Sequence, residues 1–197
     1  GLPIAAPSAN SSGKPSPTKA SHVIFDLDSK IDMIIDGGNA EVGLESTIID
    51  VSEEVPTLLR PGAITKEMIE NVIGRIEIDP TILTKPSQNL VPKAPGMKYT
   101  HYSPKADVIL VQGDDLSIVQ QNINQFAKRE LQLSKKVGIL ATDQTKQYYD
   151  CGIVLSLGNR ENLEEIGSNL FKHLRKFDFL GVDVVYSETV PEKGEGL

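Results

Sequence analysis

The chain has 197 residues, 20 Lys and Arg against 27 Asp and Glu, a formal net charge of −7 and 39% hydrophobic residues, a composition that excludes fibrous and fully disordered classes. The negative charge, with basic residues scattered rather than gathered in a run, disfavours non-specific nucleic-acid binding. No stretch reaches the roughly 20 apolar residues that a membrane helix needs, and the lone Cys151 has no partner for a disulfide or a Cys-x-x-Cys site, which predicts a reduced, cytoplasmic setting.

The first segment of interest is Ala6-Pro7-Ser8-Ala9-Asn10-Ser11-Ser12-Gly13-Lys14-Pro15-Ser16-Pro17-Thr18, which packs four serines, an Asn and a Lys between three prolines. Proline fixes φ and reduces the entropy lost on ordering, so hydroxyls and backbone N–H groups can be pre-aimed at a phosphate or carboxylate. Loops rich in Ser, Pro and Gly are also ordinary surface turns, and the Gly-Lys-Ser/Thr order of a P-loop is absent. Thr18 is positioned to cap a short helix that buries Val23, Ile24 and Leu27.

Three runs rich in β-branched or aliphatic residues, Asp32–Asp36, Ser46–Val51 and Thr57–Leu59, read as strands of one sheet. Glu45-Ser46-Thr47 stands where a loop enters the second of them. A hydroxyl there can face a cleft or be plain strand-edge polarity. Arg60-Pro61-Gly62 sets a guanidinium at a strand end, where its planar fork can grip a phosphate at two points or pair with a surface carboxylate. The spacing of Ile64, Met68, Ile69 and Val72 predicts the buried face of a helix over Lys66–Ile73, capped by Thr65 and ended by Gly74.

Between Asp79 and Pro104 periodicity disappears and five prolines punctuate polar sequence, which predicts an extended linker. Its segment Pro95–Pro104 bunches Tyr99, Tyr102, His101 and Lys98, a set suited to stacking on a base with a cation near phosphate. Beyond it, a strand is expected at Ala106–Val111, a helix at Leu116–Leu133, strands at Val137–Ala141 and Ile153–Ser156, a helix capped by Asn159, and a strand at Val182–Tyr186. This alternation implies a parallel α/β sheet. His22 and His173 stand alone within expected helices and read as structural or exposed. No His, Cys and carboxylate cluster has metal-ligand spacing. The organisation that follows is 1–79, a linker or lid at 80–105, and 106–197.

The segments Ala6–Thr18, Glu45–Asp50, Leu59–Ile64 and Lys93–Pro104, in this order, resemble the two-domain threonylcarbamoyl-AMP synthases, the YrdC-like family with an added C-terminal domain. The resemblance implies part of a YrdC-like α/β domain over 1–79, a Pro-rich linker, and a Rossmann-like parallel α/β domain over 106–197. It implies a nucleotidyltransferase that makes threonylcarbamoyl-AMP and pyrophosphate from L-threonine, bicarbonate and ATP, with Mg²⁺ carried by ATP. The product goes to a transferase complex that modifies tRNA, without stable nucleic-acid binding by the synthase itself.

By the same resemblance Ala6 and Ser46 border the threonine, Ser8, Ser16, Arg60 and Tyr102 contact ATP, and Asn10, Lys14 and Tyr99 are further candidates. The catalytic residue itself stays unassigned, and no protein metal site is expected. The start at Gly1-Leu2-Pro3-Ile4 and the end at Gly194-Glu195-Gly196-Leu197 suggest a piece of a longer protein, with little activity alone. A non-catalytic, translation-associated RNA-binding module is the competing expectation.

Overall fold

The computed structural model describes residues 1–83 and 103–190. The expectations at Tyr99, Tyr102 and the rest of 84–102 lie outside the described residues, as does 191–197.

The best-defined part is a four-stranded, wholly parallel sheet built from β4 (Asp107–Val111), β5 (Val137–Ala141), β6 (Ile153–Ser156) and β7 (Val184–Glu188) in the order β4-β7-β5-β6. All five residues of β5 and of β7 are buried, as expected of central parallel strands covered on both faces. Helix α4 (Leu116–Gln132) covers one face, where Val119, Ile123 and Ala127 meet Ile139 and Tyr186. Helix α5 (Leu163–Leu180) covers the other, where Phe171, Leu174 and Phe177 meet Leu140 and Val185. The expected Rossmann-like parallel α/β arrangement is therefore present. At the carboxyl end of β7, Glu188 is 5% exposed and accepts from Tyr149 Oη at 2.5 Å, Arg160 at 3.3 Å and Thr142 Oγ1 at 3.4 Å.

Towards the N-terminus a small mixed sheet has the order β1 (Ile48–Asp50), β2 (Thr57–Arg60), β3 (Glu77–Ile78), with β1 antiparallel and β3 parallel to β2. Helix α1 (Ala20–Leu27) precedes this sheet, α2 (Lys66–Ile73) joins β2 to β3, and a single turn, α3 (Pro80–Leu83), opens the segment expected to be extended. Thr65 caps α2 by accepting from the Met68 N–H at 3.3 Å, and Gly74 ends it at φ 83°.

Several local expectations are corrected. Asp32–Asp36 is not a strand: Met33 and Ile35 are 75% and 86% exposed, and among the described residues nothing pairs with this backbone. Thr18 does not cap α1. Lys19 holds that position without a side-chain bond, and the buried residue of α1 is Asp26, while Ile24 is 49% exposed. Helix α2 buries none of its residues fully. Asn162, not Asn159, caps α5 by accepting from the Glu165 N–H at 3.2 Å, and Asp115 caps α4. For the helices apolar spacing located the element, while tertiary contacts selected the buried face.

Candidate functional site

The loop at 11–16, the strand entry at 45–47 and the end of β2 converge on one cluster. Ser16 Oγ donates to Glu45 Oε1, and Glu45 Oε2 lies 4.0 Å from the Arg60 guanidinium. Arg60 ends β2 opposite Ile48 of β1. Its Nε and Nη2 both donate to the Ser46 carbonyl, at 3.0 and 2.9 Å, and Nη2 also reaches Ser46 Oγ at 2.9 Å. A guanidinium gripped in this two-point manner is held in one plane, which a lysine could not reproduce. The Arg60 and Glu45 side chains remain 16% and 18% exposed, so the cluster lies at a surface that a ligand can reach.

Gly62 makes this approach possible. A Cβ there would collide with the Glu45 carbonyl and the Ser46 carbonyl carbon, and would sit 2.5 Å from Thr47 N. Thr47 Oγ1 donates to the Ile64 carbonyl at 2.6 Å and ties the two segments from the other side. A cleft of about 420 Å³ opens beside them, with Glu45, Ser46 and Thr47 on one side and Ala63, Ile64 and Ile69 on the other. A polar rim over an aliphatic floor suits a small ligand with polar and apolar ends.

The loop is anchored from behind by a buried charge centre. Asp26, 2% exposed, accepts from Arg175 of α5 at 2.9 Å, from Lys14 Nζ at 2.8 Å and from the Ser11 N–H at 3.2 Å. Burial opposes the charge on Asp26, but the bonds from Arg175, Lys14 and Ser11 outweigh it and lower its pKa to about 2. Arg175 also donates through Nε and Nη2 to the Pro15 carbonyl, at 2.9 and 2.5 Å, which places Ser16 beside Glu45.

The structure thus brings Ser16, Ser46 and Arg60 together. Lys14 is directed at Asp26 and lies 4.8 Å from the Phe25 ring centroid. Asn10 donates to the Ser11 and Lys14 carbonyls at 3.0 and 3.2 Å, shaping the loop, while its buried Oδ1 has no partner among the described residues. Ala6 and Ser8 lie on an exposed stretch and bond to none of the cluster residues among those described. Sequence reasoning missed Glu45 as the bridge between Ser16 and Arg60. It also missed the Asp26–Arg175 anchor, whose only signal was a lone acid inside the apolar run Val23-Ile24-Phe25-Asp26-Leu27.

A parallel Rossmann-like sheet, joined to a small mixed sheet with a Ser/Arg cluster beside a cleft, defines an α/β protein with a candidate ligand site. Residues 64–197 match the family model described as threonylcarbamoyl-AMP synthase, C-terminal domain, and residues 1–62 match the model described as telomere recombination. The chain therefore belongs to the threonylcarbamoyl-AMP synthase C-terminal domain family.

It is 45% identical over 197 residues to the threonylcarbamoyl-AMP synthase of Bacillus subtilis, covering 100% of this chain and 55% of that protein. It is 49% identical over 195 residues to that of Pyrococcus abyssi, covering 99% and 55%. The crystal structure of P. abyssi Sua5 complexed with L-threonine superposes with a TM-score of 0.84 at 48% identity, over 96% of this chain and 53% of that one. The chain thus spans about half the length of the relatives it matches.

Proposed function

We propose that this chain supplies part of the substrate site of an L-threonylcarbamoyladenylate synthase, which converts L-threonine, bicarbonate and ATP to threonylcarbamoyl-AMP and pyrophosphate. The observation that carries the reading is the single unit made by Ser16, Glu45, Ser46 and Arg60, in a chain that superposes on a relative crystallised with L-threonine.

Attack of a carbamate on the α-phosphate needs charge neutralisation and in-line positioning more than a dedicated base. Arg60, held planar by Ser46, supplies fixed positive charge for the phosphates. Ser16 and Ser8 donate hydroxyls to ATP, while Ser46 and Ala6 border threonine in the cleft. Asn10 and Lys14 shape the loop that carries these groups, with Tyr99 a further nucleotide contact.

Residues 1–79 belong to the catalytic domain in this reading and 106–197 to the C-terminal domain. Residues 80–105 act as a lid, with Tyr102 closing over the nucleotide and excluding water that would hydrolyse the labile intermediates. In this reading Mg²⁺ enters as the counter-ion of ATP. The product passes to a tRNA-modifying transferase complex in the cytoplasm. No helix among the described residues is long and apolar enough to cross a membrane.

The test is pyrophosphate release from ATP by the full-length protein that contains this chain, with threonine and bicarbonate present or omitted. Release that requires both, and falls about 100-fold or more in Arg60→Ala, supports the reading. Release independent of threonine, or unchanged in Arg60→Ala, overturns it.

A further inference from the structure

Residues of α1 and α5, with Lys14 of the loop, line a second, partly open cleft of about 410 Å³. It shares no lining residue with the cleft beside Ser46. In a chain of net charge −7 it gathers five basic side chains: Lys14 from the loop, Lys19 next to α1, and Lys172, Arg175 and Lys176 from α5. Lys14 and Arg175 are committed to Asp26, and Lys172 donates to Asn169 at 3.1 Å. Lys19 and Lys176 have no side-chain partner among the described residues, and Asp178 is the one acidic residue of the lining.

Two histidines lie among these cations, and their hydrogen bonds set their tautomers. His22 Nδ1 accepts from the Thr18 N–H at 3.1 Å, so the neutral ring carries its hydrogen on Nε2, a donor spent on no protein group among the described residues. His173 is 9% exposed, and its Nε2 stands 2.8 Å from the Ser156 carbonyl, which can only accept. Nδ1 of His173 is then a bare, buried lone pair without a partner among the described residues. Burial first, then the charge of Arg175 and Lys19, lowers the His22 pKa to about 4. Burial, then Lys172, Lys176 and Lys19, lowers that of His173 against the opposing Ser156 bond. An anion entering the cleft would relieve that repulsion, and protonation of His173 would turn its orphaned Nδ1 into a donor.

We propose that this cleft binds the phosphate chain of a small polyphosphate anion between Lys19 and Lys176, with His22 Nε2 as a further donor and His173 taking up a proton beside them. Phe25 and Phe179, 60% and 77% exposed, flank it and offer aromatic faces. The chemistry is shared by free pyrophosphate and a nucleoside triphosphate. A cleft of about 410 Å³ in an acidic chain fits a small anion better than a nucleic-acid backbone, which tracks a long basic groove.

The experiment is calorimetric titration of the chain with pyrophosphate and with ATP, in two buffers of different ionisation enthalpy, on wild type, Lys19→Glu/Lys176→Glu, Arg60→Ala and His173→Gln. The expected result is binding at pH 7 with proton uptake, at least tenfold weaker in the double charge reversal and retained in Arg60→Ala. His173→Gln should abolish most of the proton uptake. Tighter binding of ATP than of pyrophosphate that persists in Arg60→Ala assigns the phenylalanines to a base, and equal affinities in that variant assign the cleft to the phosphate chain alone; both support the site.

Circular dichroism of the double variant verifies its fold. The proposal is overturned if neither anion binds, if binding survives the double reversal but is lost in Arg60→Ala, or if only an RNA oligonucleotide binds. The Arg60 activity test of the synthase reading fails or succeeds independently of these outcomes.

Discussion

Arg175 and Asp26, 149 residues apart, meet at 2.9 Å with the Arg175 side chain 6% exposed and the Asp26 side chain fully buried. The pair joins α5 of the parallel sheet to α1, and the same guanidinium holds the Pro15 carbonyl. Removing one partner of such a pair leaves a buried charge, which costs about 3–5 kcal/mol. Arg175→Ala is therefore expected to lower the urea-unfolding free energy by that order. Arg175→Lys should recover little, because one ammonium cannot chelate Pro15 and Asp26 together. Full stability in Arg175→Ala would show that Lys14 alone compensates Asp26.

The same centre predicts an acid transition. The folded pKa of Asp26 lies near 2, below its ordinary 3.8, so the folded state binds this proton less readily than the unfolded chain. Its contribution, about 2 kcal/mol from about 1.36 kcal/mol per pKa unit, is fully present above pH 4 and is lost as pH falls from 4 towards 2. Denaturant midpoints measured at pH 5, 4, 3 and 2 should fall across this window. In Asp26→Asn the part of the slope due to Asp26 should vanish.

Gly62→Ala tests the approach that builds the proposed substrate site. The added methyl meets backbone of Glu45, Ser46 and Thr47 rather than a side chain that could turn away. Relief requires the 45–47 segment to move from Arg60, at a cost of about 1–3 kcal/mol. Threonine-dependent pyrophosphate release by the full-length protein should fall at least tenfold, with melting lowered by a few degrees. Unchanged activity would detach the Ser46–Arg60 geometry from the reaction.

Gly43 and Gly167 make an asymmetric pair. A Cβ on Gly43 would strike the backbone of Gly167 and Ser168, whereas one on Gly167 would first meet the Leu44 side chain, at 2.8 Å from Cδ1. Gly167 also lies inside α5, where Ala gains about 1 kcal/mol of helix propensity. Thermal melting should accordingly show Gly43→Ala clearly destabilised and Gly167→Ala close to wild type. Equal losses would show that Leu44 is as rigid as backbone.

Tyr149→Phe removes the donor to Glu188 Oε1 at the end of β7. Glu188 keeps Arg160 and Thr142, so the loss is expected to be that of one charge-assisted bond, about 1.5–3 kcal/mol by urea unfolding. A neutral outcome would mean that water takes the place of the hydroxyl.

What could be read from the sequence divides along a physical line. Strand β5 lies where its apolar run indicates, because a fully covered strand is specified by its own composition. Asp32–Asp36 has a similar composition and is no strand, since a ladder also needs a neighbour. In α1 the apolar residues suggested the buried face, yet the fully buried residue is an aspartate whose reason lies in Arg175. At the candidate site, Ser16, Ser46 and Arg60 were recognisable as hydroxyls and a cation in loops. Glu45, which links two of them, could not be recognised as the link without the path of the backbone.

The Asp26 centre also orders events in time. Its carboxylate cannot be buried at tolerable cost until Arg175 is in place, and α5 is itself held by strands that pair residue 107 with residue 184. Contacts of such sequence separation close late. On a ribosome the segment around Ser11 and Pro15 is therefore made early and settled only after α5 has emerged. In refolding followed by pulsed hydrogen exchange, the Ser11 amide should gain protection after those of β5 and β7.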